Sequence, residues 1–129
     1  MFTRDIHKIK MVAYELEPAL ATQIGQAVSD SVPVRAAASV SKCVDLVRRL
    51  PADIVLCGAD PDKYRPLLLA LKNSGLNIPV LVVSRMPEVT EWLDALEEGA
   101  ADYCGAPFEQ QQIRLLIGSV LRSTRRAAA

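Results

Sequence analysis

The chain has 129 residues, half of them hydrophobic and 23% charged, which is enough apolar material for one domain with a sizeable core. Fifteen acidic and fifteen basic residues cancel, so no overall field draws the molecule onto nucleic acid or an anionic membrane. Three widely spaced cysteines (Cys43, Cys57, Cys104) and a single His7 argue against a disulfide framework and a Cys/His zinc site, and favour a reducing compartment. No apolar run approaches the roughly 20 residues that span a bilayer. The charged opening MFTRDIHKIK is unlike a signal peptide, so the expected location is cytoplasmic.

Strand and helix patterns alternate along the chain. Ile9 to Tyr14 is a short β-rich run. Pro18 opens a helix, where its missing N–H costs nothing, and Leu20, Ile24, Ala27 and Val28 form one apolar face before Asp30 and Ser31 stop it. Val32 to Ala36 is a weak second strand. Ser39 or Ser41 caps a helix with Val40, Cys43, Val44 and Val47 inward, ended at Leu50 and Pro51. The run from Asp53 to Cys57 is apolar throughout its centre, as in a strand buried on both faces of a parallel sheet.

A loop from Gly58 to about Tyr64 is expected next. A Leu-rich helix from about Pro66 to Asn73 follows, closed by Ser74 and Gly75, with Asp62 as a cap if the helix begins at Lys63. Ile78 to Val83 is the clearest strand. Glu88 to Glu98 is a helix with Val89, Trp92, Leu93 and Leu96 on one face and Gly99 as its stop. Ala101 to Cys104 is a fifth strand. Phe108 to about Thr124 is the last helix, with Ile113, Leu116, Ile117, Val120 and Leu121 inward. Arg122, Arg125 and Arg126 suit a solvated helix end. Residues 1–129 are expected to form one domain, with about 122–129 a frayed tail or the start of a linker.

Five strands alternating with five helices predict an α/β, doubly wound parallel sheet covered on both faces. In such sheets chemistry sits outside the carboxyl ends of the strands. That edge is built here from residues 14–17, 57–62, 84–87 and 104–107.

Over nearly its whole length the chain resembles the response-regulator receiver family. GAADYCGAPFE (99–109) is similar to the family's Gly-Ala-x-Asp-Tyr run that leads to a Lys before Pro-Phe. IPVLVVS is similar to the fourth strand and its terminal hydroxyl, ADIVLCGADPD to the third strand and its phosphorylated Asp, and MVAYELEP to the first strand and its acidic pair. The resemblance implies a flavodoxin-like sheet of order 2-1-3-4-5. It also implies that the phospho-acceptor falls on Gly58, the lysine on Ala106, and the magnesium-binding acids on Glu15 and Leu16, with Glu17 nearby. The hydroxyl is kept as Ser84 and the switch aromatic as Tyr103. The family's Lys–Pro peptide, usually cis, falls on Ala106–Pro107.

Aspartyl phosphorylation needs a carboxylate nucleophile, a metal ion and a second cation for the phosphoryl oxygens. Magnesium takes one or two protein carboxylates in near-octahedral geometry. Gly58, Leu16 and Ala106 remove three of these parts together. The expectation is therefore a non-enzymatic receiver-like module that works without phosphorylation. It would bind a signalling protein or its own copy through the fourth helix, fifth strand and fifth helix, with Trp92, Tyr103 and Arg114 as interface candidates. No membrane or direct nucleic-acid partner is expected, and no cofactor.

Two alternatives stay open. Asp60 can act as a displaced phospho-acceptor, with weak magnesium binding through Glu15, Glu17 and Asp60. A small ligand can instead bind at the carboxyl edge, although no Gly-rich phosphate loop occurs. By residue type alone, Asp60 and Asp62 are turn and cap residues around Pro61. The cysteines read as buried structural thiols, with Cys57 and Cys104 one strand too far apart for a disulfide.

Overall fold

The computed structural model describes residues 9–28 and 33–128, with side chains as far as Thr124. His7, the expected helix stop at Asp30 and Ser31, the start of the second strand at Val32 and the side chains of Arg125 and Arg126 lie outside these residues. The elements are β1 (Met11–Tyr14), α1 (Pro18–Val28), β2 (Val34–Ala37), α2 (Val40–Arg49) and β3 (Ile54–Gly58), then α3 (Pro61–Asn73), β4 (Val80–Ser84), α4 (Val89–Glu97), β5 (Asp102–Gly105) and α5 (Gln110–Ala128). The strands form one parallel sheet in the order β2-β1-β3-β4-β5, as expected. No helix of the described residues is long and apolar enough to cross a membrane.

Period-two alternation along the central strands divides the core into two layers. Met11 and Ala13 of β1, Ile54 and Leu56 of β3, and Leu81 and Val83 of β4 pack toward α1 and α5. Val12, Tyr14, Val55, Cys57, Val80 and Val82 pack the other way, toward α2, α3 and α4. β1, β3 and β4 are buried along their whole length, which is why they read as unbroken apolar runs. β2 and β5 are the edges and are only partly covered. Between Ser39 and Ser41, the cap of α2 is Ser39, whose hydroxyl accepts from the Lys42 amide at 3.1 Å.

One helix departs from expectation, and a second has an orientation that the sequence left open. α3 begins at Pro61, not near Pro66, and its N-cap is Asp60, not Asp62. Proline at the first helical position needs no hydrogen-bond partner, and its fixed φ prepares the turn. Pro66 lies inside the helix, where it forgoes one backbone hydrogen bond. The segment given to a loop thus carries Tyr64, which is fully buried against α2 and β3.

In α4 the apolar face, left unassigned by the sequence, turns mostly outward. Val89 is 67% exposed, Leu93 48% and Trp92 40%, while Leu96 is half-buried and only Ala95 is fully packed. Periodicity finds the stripe but not the side of the helix that meets the sheet. In α5, Ile113, Ile117 and Val120 are buried and Leu116 and Leu121 pack beside them, as expected.

The Tyr64 hydroxyl is buried without a hydrogen-bond partner among the described residues. An unmatched buried polar group costs about 1–3 kcal/mol. Tyr64→Phe should therefore leave stability unchanged or raise it by about 1 kcal/mol in urea unfolding; a clear loss would show that the hydroxyl is satisfied in solution.

Candidate functional site

The carboxyl edge of the sheet brings together the ends of β1, β3, β4 and β5. Parallel register sets Tyr14 beside Cys57, so the next residues, Glu15 and Gly58, meet across the strand gap. Glu15 has a φ of 50°, in the left-handed region that few non-glycine residues adopt. Its carbonyl oxygen lies where the β-carbon of any side chain at position 58 would have to be. At Gly58 the β1–α1 turn has closed onto the bare backbone at the end of β3.

The neighbouring acids are occupied. Glu15 lies 4.0 Å from the Lys63 ammonium and Glu17 lies 3.1 Å from the Arg85 guanidinium. Both pairs are half-exposed, so each contributes little stability. They nonetheless place a cation against each of these acids. Leu16 turns inward and packs against the α1–α5 layer of the core. Asp60 is committed to α3: its Oδ1 accepts from the Asp62 amide at 2.9 Å, and its carbonyl accepts from the Lys63 and Tyr64 amides. Asp62 stands in the first turn of α3, where a negative charge suits the helix dipole. Among the described residues, Glu15, Glu17 and Asp60 are not gathered into a group that could hold a metal ion.

The rest of the edge is a clamp between the β4–α4 loop and β5. Ser84 is buried, and its hydroxyl accepts from the Met86 amide at 3.2 Å. Its carbonyl accepts from the Ala106 amide. A β-carbon on Gly105 would overlap the ring of Pro87, so the loop rests directly on β5. Tyr103 donates its hydroxyl hydrogen to the Glu91 carboxylate and accepts from the Glu88 amide at 3.3 Å, tying β5 to the start of α4. Burial, and next the bond to Glu91, push the Tyr103 phenol up from its ordinary pKa, against a smaller opposing pull from Ser84 and the Glu88 amide. Ala106 packs against the α1–α5 layer, and the Ala106–Pro107 peptide is cis.

Of the interface candidates, Trp92 and Tyr103 line one groove between α4 and β5. Arg114 is turned elsewhere: its Nε donates to the Ala27 carbonyl at 2.7 Å, joining α5 to the end of α1. The cysteines are free. Cys57 faces the α2–α3 layer while Cys104 packs on the α1–α5 side, so the sheet itself lies between them. Burial raises Cys43 to about 11, and Cys57 and Cys104 to about 12. All three are far from the thiolate state that reactive cysteines need.

Sequence reasoning missed the overlap at Gly58, the Lys63 and Arg85 pairings and the Pro87–Gly105 contact. Only the last two segments carried any hint, as a cation or a proline beside the edge. The start of α3 was readable: Asp-Pro at 60–61 is a cap followed by a first-turn proline.

No family model and no curated protein matches this chain. Solved structures do. NtrX from Brucella abortus, crystallised with ADP, superposes with a TM-score of 0.77 at 18% identity, over 92% of this chain and 27% of its own. The chain thus spans about a quarter of that protein. The receiver domain of the Francisella response regulator 1452 matches at a TM-score of 0.69 and 18% identity, over 90% of this chain and 98% of its own. The signal receiver domain of a putative Luxo repressor protein from Vibrio parahaemolyticus gives 0.74 at 14% identity, over 93% and 95%.

Two substitutions test the geometry of the edge. Gly58→Ala should cost about 1–3 kcal/mol in urea unfolding, because the β1–α1 turn has to give way; a cost below about 0.5 kcal/mol would mean the turn moves freely. Asp60→Ala should cost about 1 kcal/mol through loss of the α3 cap, and an unchanged midpoint would deny that role. With its five parallel strands in the order β2-β1-β3-β4-β5, the chain has the response-regulator receiver fold.

Proposed function

We propose that this chain is a phosphorylation-independent, receiver-like protein–protein interaction module of bacterial signal transduction. One observation carries the reading: the Glu15 carbonyl fills the place that a side chain at position 58 would need. A nucleophile cannot be restored there by substitution alone. The charge arrangement supports the same conclusion, since Lys63 and Arg85 already accompany Glu15 and Glu17, and Ala106 offers no ammonium.

The output surface is α4, β5 and α5, where a signalling protein or a second copy docks. No phosphoryl trigger is needed to shape it, because Tyr103, Glu88, Glu91, Pro87 and Gly105 already hold α4 against β5. A partner then acts by binding this conformation rather than by waiting for a chemical switch. The module works without a cofactor, in the cytoplasm, as a single domain over residues 1–129, and touches neither membrane nor nucleic acid directly.

The test is a titration with magnesium, with and without beryllofluoride, followed by Trp92 fluorescence and amide chemical shifts. Beryllofluoride mimics an aspartyl phosphate where a carboxylate and magnesium meet. The expected outcome is no response. Saturable shifts centred on Asp60, Ser84 and Tyr103 would instead establish a phospho-acceptor on the displaced acid.

A further inference from the structure

We propose that the groove between α4 and β5 takes a cationic amphipathic helix supplied by another protein. The proposal rests on the interaction-module reading and names the chemistry of its partner. Val89, Trp92 and Leu93 are exposed at helical spacing, and Met86, 77% exposed, stands three residues ahead of Val89. Beside this stripe runs a shallow groove of about 340 Å³, floored by β5 from Asp102 to Gly105 and walled by Pro87, Val89 and Trp92. A contiguous exposed apolar patch of this kind marks a contact site on a protein whose core is otherwise well covered.

Charge selects the occupant. From Met86 to Ile113 the sequence holds seven acidic residues and no Lys, Arg or His, although the whole chain is neutral. Glu98 is paired with Arg65 and Glu91 holds Tyr103. Glu88, Asp94 and Glu97 are exposed and have no ion pair among the described residues. An apolar stripe flanked by uncompensated carboxylates is complementary to a helix with apolar anchors at i, i+3/i+4 and i+7 and Lys or Arg beside them. A second copy of this chain is a poorer match. An α4 stripe packed on the same stripe of a second copy would bring the Glu88, Asp94 and Glu97 carboxylates of both copies together.

The groove is also preset. Pro87 resting on Gly105 and the two bonds of Tyr103 hold its walls together, so little ordering is needed on binding.

The test uses the full chain with a synthetic amphipathic helix of Leu and Lys, about 18 residues and five turns long, and its Leu/Glu counterpart. Expected are saturable amide shifts confined to α4 and β5, a change in Trp92 fluorescence, weakening at high salt, and no binding of the Leu/Glu helix. Asp94→Lys with Glu97→Lys, and separately Trp92→Ala, should each weaken binding about tenfold. Equal binding of both helices, or shifts centred elsewhere, would overturn the proposal. Sedimentation of the chain and of its Trp92→Lys variant separates the two readings. Trp92-dependent self-association without helix binding would overturn the cationic-helix inference and keep the interaction face. Neither helix binding nor Trp92-dependent association would overturn both.

Discussion

The carboxyl edge is governed by one contact, the Glu15 carbonyl against the bare α-carbon of Gly58. Parallel pairing of β1 with β3 forces these two residues together, because Tyr14 and Cys57 stand side by side in the register. The left-handed turn at Glu15 then closes the gap, and only a residue without a β-carbon tolerates it. Everything beyond β1 follows from that turn. Leu16 enters the core, Glu15 reaches Lys63 at the start of α3, and Glu17 reaches Arg85 after β4. The carboxyl edge is filled here by backbone and by internal ion pairs.

The second half of the edge is closed in the same sense, by side chains used as fasteners. Ser84 caps its own turn through the Met86 amide, and Tyr103 bridges β5 to the first turn of α4. Both side chains are thus engaged with α4 and its loop. Pro87 lying on Gly105 removes the remaining slack. Under the proposed reading, regulation comes from what binds this edge, through a difference in affinity between bound and free partner states.

Fixing α4 in this way leaves its apolar stripe outside. Only the small side chain of Ala95 is fully packed from this helix, while Trp92, Val89 and Leu93 face solvent. Fully burying a large apolar side chain gains at most about 1.5–3 kcal/mol, so a partner that covers the remaining exposed part of these residues gains a share of that. The same stretch is where the acidic residues gather, which separates it from the Arg-containing α5 on the other side of β5.

The amino-acid sequence by itself determined the alternation of strands and helices, the three doubly buried central strands and which residues stand at the strand ends, Gly58, Leu16 and Ala106 among them. These are local or positional properties: periodicity, unbroken apolar runs and residue identity at strand ends. It also contained the Asp60–Pro61 start of α3, which the more conspicuous Pro66 obscured. Tertiary structure alone decided the rest. Whether the stripe on α4 turns in or out depends on which side of the helix meets the sheet, and periodicity is the same for both. Whether Gly58 leaves an opening depends on the path of a neighbouring strand's carbonyl, which only the β1–β3 pairing brings within reach.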